Sequence, residues 1–355
     1  MTARTRLGNR EAAPGRAAGI VPPHILRAIV ERGDREQRAW ALEALALSER
    51  LRGRRELLGE IATAVAAAEG GKRRTVYDAR GGAQLPGTRA RDEGDPPTGD
   101  AAVDEAYDGA GATYDLYREA YDRGSIDDRG MPLVATVHYR RDYDNAFWDG
   151  SQMVYGDGDG KVFQRFTKSV DVIGHELTHG VIQYEAGLEY AGQSGALNES
   201  FADVFGSLVK QRALGQTAAE ADWLIGAGLF TAAIRGRALR SMAAPGTAYD
   251  DPLIGKDPQP ADMAGYIETA NDNGGVHINS GIPNRAFYLA ATAIGGNAWE
   301  GAGKVWYVTL RDRLRPGSDF AAAASLTVAA AKELFGARGA VAKAVAAAWA
   351  AVGVR

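Results

Sequence analysis

The sequence predicts an α+β fold in which strands gather in one region and helices in another. Strand-like runs separated by Gly/Asp turns occupy Val76 to Lys161, and from Gly195 onward apolar residues recur mostly at helical spacing. At 355 residues the chain can hold two domains and a smaller appendage.

Taken in order, residues 1 to about 20 are Gly/Ala/Arg-rich without periodicity, the composition of a disordered tail. Leu26, Ile29 and Val30, then Trp40, Leu42, Leu45 and Leu47, predict two short helices broken at Gly33-Asp34. The Arg-rich stretch from Arg50 to Arg55 reads as a solvated, protease-sensitive linker. A helix is expected around Ala101 to Asp122 and a strand over Leu133 to Tyr139. Another helix should start after Ser169 as N-cap and end near Gly187, burying Val172, Ile173, Leu177, Val181 and Ile182. Asp157-Gly158-Asp159-Gly160 hints at a calcium loop, but the twelfth position of an EF-hand is Lys168 here, so a tight hairpin turn is expected. Two Ala-rich helices, around Phe320 to Phe335 and Ala340 to Ala351, should close the chain.

Composition narrows the function classes. A net charge of −4 offers no general electrostatic case for binding nucleic acid or an anionic membrane. Cysteine is absent, which excludes disulfides and thiol nucleophiles and leaves His and carboxylates as strong metal ligands. The N-terminus lacks an apolar run of signal-peptide length, and the apolar stretch around Phe320 to Ala331 is too short to span a bilayer. Neither a standard secretion signal nor a membrane anchor is therefore predicted, leaving the cytoplasm or a non-standard export route.

The most informative segment is His175-Glu176-Leu177-Thr178-His179. Imidazoles at i and i+4 stand about 40° apart on one helix face, so both can reach one metal ion. The intervening Glu176 is then a candidate general base toward a zinc-bound water. Glu199, twenty positions past His179 in Asn198-Glu199-Ser200-Phe201-Ala202-Asp203, is a candidate third ligand. Asp203, one turn further, could accept the second ring N–H of a ligating His. No fourth ligand is offered and a base is, which favours a catalytic over a closed structural site.

These motifs, with Asn145-Ala146-Phe147-Trp148, Tyr155-Gly156-Asp157-Gly158-Asp159-Gly160, Leu239-Arg240-Ser241-Met242 and Asp272-Asn273-Gly274-Gly275-Val276-His277-Ile278-Asn279-Ser280-Gly281, closely resemble the thermolysin family of zinc metallopeptidases. The resemblance covers roughly residues 75 to 355, and the short leader with Pro22-Pro23-His24-Ile25-Leu26 is most like the protealysin branch. It implies a two-domain fold with the zinc site in the cleft: a pro-segment over 1–60 with its boundary between 48 and 71, a β-rich domain over 72–188 and a helical domain over 189–355. It further implies a neutral endopeptidase acting on protein or peptide substrates and made as a self-inhibited precursor.

By that resemblance Tyr190 and His277 stabilise the oxyanion, with Asp272 orienting His277. Asn145, the Ala146 carbonyl and Arg240 grip the substrate main chain. Phe163, Phe166, Val172, Ile225 and Leu239 line the pocket after the scissile bond, implying cleavage before hydrophobic residues; an ordinary core is the competing reading for each taken singly. The two prolines suggest that Pro22, Pro23, His24, Ile25 and Leu26 lie extended in the groove as an inhibitor, with His24 near the metal; a turn preceding a helix is the alternative. The two-calcium cluster of relatives is expected to be lost: Asp171 and Asp222 remain, but Lys210, Leu224 and Ala227 occupy the other positions, with Lys210 in the ions' place. A silent zinc-stabilised binding module would usually lack a ligand, the base or the donors, and an exopeptidase would need an added acidic motif for a free α-amine.

Overall fold

The structure is a computed structural model, and it describes residues 19–52 and 71–355. Residues 1–18 of the expected tail and 53–55 of the expected Arg-rich linker lie outside the described residues, whereas 50–52 are helical and not linker.

Helices α1 (Pro23–Arg32) and α2 (Arg35–Arg52) form the leader, parted at Gly33-Asp34 as the periodicity predicts. Asp34 opens α2 by accepting the Glu36 and Gln37 N–H groups. α1 buries Pro23, Ile25, Leu26, Ala28 and Ile29. The inward face of α2 carries Ala41, Ala44 and Leu47, while Leu42 is 53% exposed, so its apolar character does not mark the core. One expectation fails here. The Pro22–Leu26 motif is not an extended strand: Pro22 caps α1 and Pro23 fills its first turn, where a missing N–H costs nothing.

A five-stranded sheet follows, ordered β2-β1-β3-β5-β4, from β1 (Arg74–Asp78), β2 (Thr88–Asp92), β3 (Leu133–Val137), β4 (Ala146–Trp148) and β5 (Met153–Tyr155). Its three central strands are parallel and its outer pairings antiparallel. β4 is therefore an edge strand, free to pair with another extended segment. Helix α3 (Ala101–Tyr121), capped by the Asp100 carboxylate at Ala102 N and Val103 N, packs on this sheet and on the helix that begins at Val170. The Asp157–Gly160 segment turns as expected, with Asp159 Oδ1 accepting three following N–H groups, but it is not a hairpin. The chain instead crosses over, and Phe163 bridges Phe230.

α4 (Val170–Tyr184) and α5 (Gly192–Leu214) form the centre of the molecule. They approach closely because Gly174 faces Gly206: a Cβ on Gly206 would stand 2.4 Å from Asp171 O. Ser169 occupies the N-cap of α4, but its hydroxyl donates to Asp171 Oδ1 instead of capping. Short hairpin β6 (Leu224–Ile225) with β7 (Arg240–Ser241), then β8 (Asp250–Asp251) with β9 (Gly255–Lys256), follow α5. The rest is helical: α6 (Asp272–Asn279), α7 (Gly281–Ile294), α8 (Ala302–Asp312), α9 (Phe320–Phe335) and α10 (Ala340–Ala351), the last two where the Ala tracts predict them.

Candidate active site

α4 and α5 converge on three ligand atoms. His175 Nε2 and His179 Nε2 are 3.0 Å apart, and the Glu199 oxygens lie 3.7 Å and 3.5 Å from them. No other group of His and carboxylate side chains among the described residues meets in this way. The His175 Nδ1–H donates to Asp203 Oδ1 and the His179 Nδ1–H to Asn198 Oδ1, both at 2.8 Å. The Asn198 amide is oriented by its own donation to Leu188 O. Both Nε2 atoms are left as lone-pair donors facing each other, and Glu199 Oε2 is buried without a hydrogen-bond partner among the described residues. Two imidazole nitrogens and a carboxylate so disposed repel one another unless a cation joins them, and their chemistry fits zinc.

Glu176, fully buried beside these ligands in sequence, accepts the Trp148 N–H at Oε2 (3.0 Å), which ties it to edge strand β4. Across the site Tyr190 donates to Glu199 Oε1 and stands 3.2 Å from His277 Nε2. Asp272 accepts both the ring Nδ1–H (2.7 Å) and the backbone N–H (2.9 Å) of His277. Burial alone would lower the His277 pKa, but Asp272 and Glu199 outweigh it and push it up to about 9. With its Nδ1 held by Asp272, His277 presents Nε2 to the Tyr190 hydroxyl and toward Glu199.

Arg240 binds Asp203 through two bonds of 2.8 Å, and Asn284 adds a third donor to the same carboxylate. Although burial disfavours its ionisation, Asp203 is held well below the usual carboxylate range by Arg240 and His175. The third Arg240 contact goes to the leader: Nη1 donates to Ile20 O at 3.1 Å. Ile20 N donates to Ala146 O (3.1 Å) and Val21 N to Asn145 Oδ1 (3.0 Å). The three groups expected to hold a main chain thus hold Ile20 and Val21, just upstream of the predicted Pro22–Leu26. His24 lies close enough to Asp272, His277 and Arg240 to feel their charges, but its Nε2 pairs with the Tyr249 hydroxyl (2.7 Å) and it is not one of the three converging ligands. Phe163, Phe166, Val172, Ile225 and Leu239 are all buried within the main hydrophobic core.

Residues 66–183 match the catalytic domain of thermolysin metallopeptidases, and residues 186–354 match the α-helical domain of the same group. The chain belongs to the thermolysin metallopeptidase family. It is 53% identical over 317 residues to an extracellular metalloprotease of Pectobacterium carotovorum subsp. carotovorum, covering 89% of this chain and 91% of that protein. It is 57% identical over 265 residues to protease PrtS of Photorhabdus sp. (strain Az29), with 74% and 71% covered. Among solved structures it is similar to the precursor of protealysin, a metalloproteinase from Serratia proteamaculans, with a TM-score of 0.87, 54% identity, and 96% of this chain and 100% of that one covered. This thermolysin-family chain is thus a metalloendopeptidase of the protealysin-like branch in precursor form. Among the described residues no helix is long and apolar enough to cross a membrane.

Sequence reasoning missed Asn198, Trp148 N, Asn284 and the Gly19–Val21 contact. Asn198 was legible, since it lies beside Glu199 on the same helix. Backbone partners such as Trp148 N leave no residue-type signal, and Ile20 and Val21 carry only ordinary apolar side chains.

Proposed function

We propose that this enzyme cleaves peptide bonds on the N-terminal side of hydrophobic residues, with His175, His179 and Glu199 holding one zinc ion. The convergence of three ligand atoms within 4.8 Å beside Glu176 carries this reading. Zinc bound there supplies Lewis acidity that polarises a carbonyl and makes water more acidic. Glu176 takes the proton of the attacking water and delivers it to the leaving amine. Tyr190 and protonated His277 donate to the oxygen on which negative charge develops, and Asp272 keeps the His277 ring in register. Asp203 fixes His175 and, through Arg240, the substrate carbonyl; Asn145 and Ala146 hold the adjoining amides.

The pocket assignment of Phe163, Phe166, Val172, Ile225 and Leu239 rests on the family resemblance, and all five side chains are buried and apolar. An acidic side chain there would lose hydration without a partner. The leader acts as an intramolecular inhibitor through Gly19–Val21, anchored by α1 and α2. We assign 1–60 to this pro-segment with its end between 48 and 71, and 72–188 and 189–355 to the catalytic halves. The calcium cluster of relatives is replaced by Lys210, whose Nζ lies 2.8 Å from both Asp171 and Asp222 and donates to Leu224 O. Protein or peptide substrates are the expected partners; the net charge of −4 offers no general electrostatic case for nucleic acid or an anionic membrane. A peptide library digested with the zinc-loaded, activated enzyme, its new termini mapped by mass spectrometry, tests the specificity. Leu, Ile or Val should dominate after the cut, and a profile dominated by charged residues there would overturn it.

A further inference from the structure

Ile20 and Val21 make the main-chain contacts of a bound substrate, yet they belong to an inhibitor. Ile20 offers its N–H to Ala146 O on edge strand β4 and its C=O to Arg240, and Val21 N is read by Asn145 Oδ1. An extended peptide added to that edge would continue the pairing upstream of Ile20. At Gly19, the first described residue, the leader is not extended. Gly19 sits at φ +81°, the left-handed side, and an L side chain at this position would put its Cβ 2.5 Å from Ala146 O and 2.9 Å from Asn145 Oδ1. Only glycine fits this bend.

Resting on the main-chain roles proposed above for Asn145, Ala146 and Arg240, we propose that Gly19 is the residue that makes the docked leader an inhibitor rather than a substrate. With Ile20 held as the residue after a scissile bond, the 19–20 peptide is the bond that would be hydrolysed. The left-handed backbone at Gly19 departs from the extended conformation of a bound substrate, and this departure withholds that bond from attack. An L residue at position 19 cannot adopt the bend, so the chain must reach Ile20 by a substrate's extended route. Hydrolysis then adds the water oxygen to the carbonyl carbon of residue 19 and breaks the C–N bond, and the Ile20 nitrogen leaves as an amine carrying a proton from that water.

The test uses the full-length zinc-loaded chain and its Gly19→Ala variant, followed by intact mass and N-terminal sequencing at several protein concentrations. Gly19→Ala should yield a product beginning at Ile20 at a rate independent of concentration and at least about tenfold above wild type. Equal rates at this bond, or activation of the variant without a cut there, would overturn the proposal. A second measurement, hydrogen exchange of the Ile20 and Val21 amides in the non-hydrolysing Glu176→Gln background, separates a changed path from lost docking. Both amides should stay protected after Gly19→Ala is added; their loss of protection would reduce Gly19 to a packing role and refute the assignment. Cleavage of a reporter peptide once the leader is removed checks the peptidase reading independently.

Discussion

The carboxylate of Asp203 and the guanidinium of Arg240 form a buried pair joined by two bonds of 2.8 Å, while Asp203 also accepts from His175 and Arg240 also donates to Ile20 O. One ion pair therefore links His175, a proposed metal ligand, to the leader main chain at Ile20. Replacing Arg240 with Leu would leave Asp203 charged, buried and short of donors, at a cost of about 3–5 kcal/mol. Arg240→Lys keeps the charge but loses the fork. It should fold, with KM raised more than the melting temperature is lowered, which steady-state kinetics beside thermal melting would check.

His277→Ala should leave zinc content at the wild-type level, because His277 is not a ligand in this arrangement. With the oxyanion role proposed above, kcat should fall by about 10²–10³ with little change in KM. Metal analysis with single-turnover kinetics measures both.

Lys210→Ala should destabilise the fold by about 3–5 kcal/mol, because Asp171 is fully buried and loses its cationic partner. Burial disfavours the ammonium, but Asp171 and Asp222 outweigh this and hold the Lys210 pKa above its ordinary value. A calcium-selective chelator should leave wild-type melting unchanged. A large chelator-induced drop traced to calcium at this site, with Lys210→Ala silent, would contradict the substitution of lysine for calcium.

His138 donates to Asp157 and Asp100, at 2.8 Å and 3.0 Å, joining the turn after β5 to the start of α3. The bond to Asp157 is the main influence and outweighs partial burial, raising the pKa from 6.5 to about 9. Because the folded value is the higher, the stabilisation is fully present below about pH 6.5 and disappears as pH rises through about 9. Urea unfolding of wild type and His138→Gln should accordingly differ at pH 6 and converge by pH 10.

Ile20→Asp should weaken self-inhibition, since Ile20 is fully buried and an unpaired carboxylate in its place is costly. The precursor should hydrolyse a reporter peptide sooner than wild type; an equally silent precursor would count against the docking role of this residue.

The helix-borne part of the site was legible because helical spacing fixes which side chains meet. His175, His179, Glu199 and Asp203 follow from intervals of four residues on two helices, and Lys210 follows from the charge change at its position. The leader was legible as helices and, by resemblance, as an inhibitor, but the residues that reach the site were not. The two prolines signal stiffness, which a helix start satisfies as well as an extended strand, and the contacts that matter are made by the backbone of Ile20 and Val21. The bend at Gly19 likewise depends on the approach of Ala146 O, a tertiary fact that no local pattern encodes. The crossing of Phe163 to Phe230 was hidden for the same reason, since a Gly/Asp turn does not specify its partner strand.

The most direct test of the central claim is paired metal analysis and peptide hydrolysis for Glu176→Gln after removal of the leader. The side chain supplies the base without being a ligand, so zinc should remain at one ion per chain while hydrolysis falls to background. Loss of zinc, or hydrolysis persisting near the wild-type rate, would contradict the account.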